Sequence, residues 1–105
     1  MSERRRLPDR RASTTFDVQA FGLQFTGTAS NFDDAAPAEI FIRNHKADSS
    51  AGIMASDAAI AASLALQFGC PPEVLRKALC RDARGTASTP LGVALDILAS
   101  QEGAP

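Results

Sequence analysis

The sequence predicts an α+β fold: a three-stranded antiparallel sheet followed by three helices packed on one face. Three observations predict it. Up to Asn44 the apolar residues alternate in short runs separated by turn formers, as half-buried strands require. From Ser50 onward they recur at spacings of three, four and seven, the period of a helix face. The strand patterns all precede the helical ones, and such segregation favours an antiparallel sheet over repeated βαβ units.

The first strand is expected at 14–20, with Phe16, Val18 and Ala20 on one side. Phe21-Gly22 permits a tight turn into a second strand at 23–30, which places Leu23, Phe25, Gly27 and Ala29 on one side. Asn31 to Pro37 reads as a loop from which Phe32 can fold back onto the core. The third strand, at 38–44, directs Ile40 and Ile42 one way and Phe41 the other. As the most apolar of the three it is expected to be central.

A long helix is expected over 50–68, with Ile53, Ile60, Leu64 and Phe68 forming one stripe. Ser49 or Ser50 can cap its start, because a short hydroxyl accepts from a free first-turn N–H. Gly69 suits the left-handed residue that closes a helix, and Cys70-Pro71-Pro72 forces a corner. A short helix at 72–81 and a last helix at 89–101 follow. In the last helix Pro90 suits the first position and Ser88 or Thr89 can cap. The expected core is Phe25, Ile40, Ile60, Leu64, Phe68, Leu75, Leu79 and Leu95.

The 105 residues fit one domain, expected at 14–101, between an Arg-rich flexible arm at 1–13 and a frayed end at 102–105. Five of the eleven basic residues lie in the arm, at Arg4, Arg5, Arg6, Arg10 and Arg11. That leaves six against ten acidic residues from Ala12 onward. The arm reads either as a solubilising tail or as a contact for an acidic protein or nucleic acid. Two cysteines without an export signal are expected to be reduced thiols in the cytoplasm. A modest core and unpaired sheet edges lead us to expect a homodimer, and no apolar run is long enough for a membrane.

Convergent polar chemistry is sparse. There is one histidine and no CxxC pair, and the carboxylates are scattered singly. No catalytic residue, metal or cofactor is expected. The one polar cluster with a mechanism is His45, Lys46, Ser49 and Ser50, at the start of the long helix. Unpaired N–H groups, a positive dipole end and a lysine can hold a phosphate or carboxylate there. The plainer account is a capped helix start with solvated flanks. Glu73, Arg76, Lys77 and Arg81 on the short helix also invite a nucleic-acid reading, although Pro71-Pro72 is an unusual turn for a helix-turn-helix.

Glu39-Ile40-Phe41-Ile42, Ser63-Leu64-Ala65-Leu66-Gln67-Phe68-Gly69 and Pro72-Glu73-Val74-Leu75-Arg76-Lys77-Ala78-Leu79 together resemble the TSCPD domain. That domain occurs in the C-terminal part of adenosylcobalamin-dependent (class II) ribonucleotide reductases and as short stand-alone bacterial proteins. The likeness runs from about Phe21 to Leu98. The family's Thr-Ser-Cys-Pro-Asp run corresponds here to Ala87-Ser88-Thr89-Pro90-Leu91. Ser88 and Pro90 are kept, whereas Thr89 and Leu91 replace the cysteine and aspartate, so no thiol or metal role carries over. Radical chemistry does not carry over either, because it needs a large barrel with its own cysteines and cobalamin site. The resemblance implies a non-catalytic accessory or regulatory module acting by protein contact, with a reductase or another protein as partner. The alternative is a small nucleic-acid-binding regulator using the arm and the 72–81 helix.

Overall fold

A computed structural model describes residues 3–7, 13–32, 36–45 and 49–102. The element order is β1 (Ser13–Ala20), β2 (Leu23–Asn31), β3 (Pro37–Asn44), α1 (Ser50–Gln67), α2 (Pro72–Ala78) and α3 (Pro90–Glu102). The three strands form one antiparallel sheet in the order β1-β2-β3. The predicted α+β class is the observed one. Of the expected arm and frayed end, residues 1–2, 8–12 and 103–105 lie outside the described residues.

Register follows from the alternation of side chains. Val18 stands opposite Phe25, Ala29 opposite Ile40, and Gly27 between Phe16 and Ile42. This face is buried: Val18, Phe25, Ile40 and Ile42 are essentially inaccessible. At Gly27 the ring of Phe16 lies across the backbone. A Cβ built there would meet its Cε2 at 2.5 Å, so glycine lets the ring lie where it does and any larger residue would displace it. Gln19, Gln24, Thr26, Thr28 and Phe41 occupy the other, uncovered face.

The expectation of a central β3 is corrected: β2 is central and β3 is an edge. Its apolar character has another cause. α1 covers its face, and buried polar side chains from α1 occupy its outer rim. Ser63 Oγ accepts from the Ile40 N–H at 2.8 Å. Its own proton can go to the Ile40 carbonyl at 3.1 Å or the Ala59 carbonyl at 2.9 Å. Gln67 Nε2 donates to the Ala38 carbonyl at 3.0 Å. At Ala38 and Ile40, backbone groups that an edge would otherwise leave free are bonded by two side chains.

The same contacts correct the expected core. Ala55, Ala59, Ala62 and Leu66 face the sheet with Ser63 and Gln67, whereas Ile60, Leu64 and Phe68 are 51%, 40% and 40% exposed. Only small residues let the helix approach closely enough for Ser63 to reach a strand backbone. The bulkier stripe therefore faces outward. Leu75 and Leu79 are half-buried and pack against the core's margin. Phe25, Ile40 and Leu95 are buried as expected, and Phe32 folds in as well.

Helix ends follow local chemistry. Ser49 caps α1, accepting from Gly52 N–H at 3.0 Å. Its close is a Schellman arrangement: Gly69 has φ 103°, Gly69 N–H donates to Leu66 O, and Cys70 N–H donates to Ala65 O. α2 stops at Ala78 rather than reaching 81, because Leu79 is extended and Arg81 forms a bridge with Ala87. α3 buries Leu91, Ala94, Leu95 and Leu98.

Candidate functional site

The 87–91 stretch lies in the loop before α3 and at that helix's start. Thr89 caps α3, its Oγ1 accepting from Gly92 N–H at 3.2 Å and its carbonyl from Val93 N–H at 3.0 Å. Pro90 is the first helical residue and is buried. Ser88 N–H donates to Cys80 O at 3.0 Å, which pins the loop to the end of the short helix. Within the loop, Asp82 Oδ1 accepts from Arg84 and Thr86 N–H groups. The backbone around Thr89 and Pro90 is thus fixed by its own hydrogen bonds.

Beside this loop is an apolar groove of about 360 Å³, between the β1–β2 turn, the first half of α1 and the start of α3. Met54, Ala58, Leu79, Cys80, Thr89, Pro90 and Leu91 are among its walls, with Phe21 at one side. Phe21 and Gly22 have φ 57° and 70°, the double positive φ of a type I′ hairpin turn. A phenylalanine pays a steric cost in that region, of about 1–2 kcal/mol. The groove has the size of a small-ligand pocket and the lining of a contact surface, with Cys80 as its one thiol.

Next to the groove three elements are tied by one carboxylate. Asp96 accepts from Arg81 at 2.6 and 2.9 Å and from Arg76 at 3.1 Å. Arg76 also reaches Glu73 through two donors, at 2.9 and 3.1 Å. The Arg81 hydrogen bonds, and then those of Arg76, hold the Asp96 carboxyl below its usual range despite partial desolvation. Glu73 is lowered chiefly by its hydrogen bonds with Arg76. Two of the cations offered by the sequence to a phosphate backbone, Arg76 and Arg81, are therefore engaged within the fold. Lys77 remains largely exposed, 4.0 Å from Glu73.

Of the four residues of the expected anion cluster, Lys46 lies outside the described residues. Ser49 uses its oxygen for the cap and donates to Asn44 Oδ1 at 3.2 Å. Ser50 opens the helix beside it and is exposed. His45 Nε2 lies 3.0 Å from Thr26 Oγ1. In the arm, Arg4 Nε donates to Gln67 Oε1, Arg5 N–H donates to Gln67 O, and the Arg5 guanidinium stacks 3.9 Å from the Phe32 ring centroid. Sequence reasoning missed Ser63, Gln67, Asp96 and Phe21. The first two carried a signal, because polar residues spaced by four among alanines mark a helix face that bonds to something.

Comparison with known proteins gives one informative relation. Over 71 residues, 68% of the chain, 37% of positions are identical to a vitamin B12-dependent ribonucleotide reductase of Bradyrhizobium diazoefficiens. The chain is related to a segment of that reductase. The matched stretch is 6% of the reductase's length. No family model matches the chain, and no solved structure matches it. Among the described residues, no three His, Cys, Asp or Glu side chains are grouped to hold a metal ion. No described helix is long and apolar enough to cross a membrane.

Proposed function

We propose that this chain is a non-catalytic accessory or regulatory module of the TSCPD type, acting by protein contact in deoxynucleotide synthesis. The 71-residue similarity to a reductase segment carries this reading. Two physical features support it. The clustered charges Glu73, Arg76, Arg81 and Asp96 satisfy one another, which fastens α2 and the following loop to α3. Meanwhile, large apolar side chains on the surface, Phe21, Met54 and Val74 among them, offer the area on which protein contact depends. The partner in this reading is a ribonucleotide reductase.

The test is affinity capture with the tagged chain from native lysate of its source organism, followed by direct titration against the purified reductase. The expected result is recovery of reductase subunits and saturable binding weakened by Met54→Asp at the groove. Recovery of no reductase subunit, with no binding in the titration, overturns the reading.

A further inference from the structure

The outward stripe of α1 has a property that the groove lacks: it reads alike from either end. Ile53, Asp57, Ile60, Ala61, Leu64 and Phe68 are exposed along its centre at spacings of four, three, one, three and four, with exposed Met54 and Ser56 flanking them on either side. Reversing the helix about the Ile60–Ala61 midpoint places Ile53 against Phe68, Asp57 against Leu64 and Ile60 against Ala61. An isologous interface needs this self-complementarity, because each residue must meet its two-fold mate's partner. A small residue at 61 opposite a branched one at 60 gives the centre of such a pairing a knob and a place to put it.

We propose that α1 is the interface between two copies of this chain, packed antiparallel about a two-fold axis near Ile60 and Ala61. This goes beyond the accessory role above and does not depend on it. Electrostatics selects the direction. A parallel pair would set Asp57 against Asp57 and align two helix dipoles. The antiparallel pair opposes the dipoles and separates the carboxylates by seven residues of rise, about 10 Å, roughly a Debye length.

Area supports the same occupant. Ile53, Ile60, Leu64 and Phe68 are 40–55% exposed. Together they offer on the order of 400 Å² per chain, so pairing buries about 800 Å² before the flanking residues are counted, most of the roughly 1,000 Å² that a specific interface needs. A net charge of −1 raises little barrier to self-association. The competing route through strand pairing is obstructed at Ala38 and Ile40 of β3 by Gln67 and Ser63.

Sedimentation of the full chain over roughly a hundredfold concentration range tests the proposal by mass action. The expected result is a monomer–dimer equilibrium shifted to monomer by Ile60→Glu and by Leu64→Glu, with circular dichroism unchanged because neither side chain is in the core. In a Cys70→Ser/Cys80→Ser background, Ile60→Cys should form a covalent dimer on oxidation. Ile53→Cys and Phe68→Cys should cross-link when mixed and far less when alone. A wild type that stays monomeric overturns the proposal. So does a dimer indifferent to Ile60→Glu, which would point to strand pairing at a sheet edge. Preferential cross-linking of Phe68→Cys to itself would overturn the antiparallel direction. Reductase capture reports on none of these outcomes, so the two readings fail separately.

Discussion

α1 and α3 both pack on the sheet side of the molecule, yet they meet the core by opposite means. α3 turns its largest aliphatic side chains inward, burying Leu91, Leu95 and Leu98 around Ala94. α1 turns alanines inward, adds Ser63 and Gln67, and leaves Ile53, Ile60 and Leu64 outside. One helix is held by filling volume, the other by coming close enough to share hydrogen bonds with a strand. The difference teaches that apolar periodicity locates the faces of a helix without saying which is inward. Where both faces are apolar, the polar residues among the small ones decide, because a buried hydroxyl or amide must have a partner.

The sharpest way to break this comparison is to truncate one residue on each helix. Leu95→Ala, in the filled contact, should cost about 2–5 kcal/mol and lower Tm accordingly in thermal unfolding. Ser63→Ala strands the buried Ile40 N–H and should cost about 1–3 kcal/mol, although it removes one oxygen and no carbon. A native-state hydrogen-exchange measurement should also show the Ile40 amide losing protection in that variant. If Ser63→Ala were neutral, α1 would be held by packing after all, and the contrast with α3 would fail.

Asp96→Asn sharpens the comparison at the far side of α3. The paired carboxylate is partly exposed, so we expect about 1 kcal/mol near neutral pH. Because the folded carboxyl titrates below its usual range, the stabilisation is complete above about pH 4 and fades as pH falls through the lower native value. The Tm difference between wild type and Asp96→Asn should therefore close in acid. Smallest of all is Leu64→Ala, which should cost at most about 1 kcal/mol when measured on the monomer, since its side chain is partly in water and alanine favours the helix. A loss of several kcal/mol there would return the outer stripe to the core.

These contrasts also show what could be read from the sequence. The strands were legible because Phe16/Val18 and Phe25/Ala29 alternate cleanly, and α3 because its far side is more polar. The caps at Ser49 and Thr89, and the close at Gly69, were legible because they are local. The orientation of α1 was not, since Ile60 and Leu64 outweigh Ala55 and Ala59 in any reckoning by size. Nor was the edge position of β3, whose partners lie more than twenty residues away in α1. At the site, Thr89 and Pro90 were marked by their capping roles. The groove beside them was not, because Phe21, Met54 and Cys80 come from three separate segments.

The bonded rim of β3 has a consequence for how the chain behaves in a crowd. Addition of strand to strand is a polymerisation, and it propagates only from units with two reactive ends. With Ser63 and Gln67 holding Ile40 and Ala38, the first half of β3 no longer offers such an end. The two polar side chains that orient α1 also act as a partial chain terminator, obstructing strand addition where they bond.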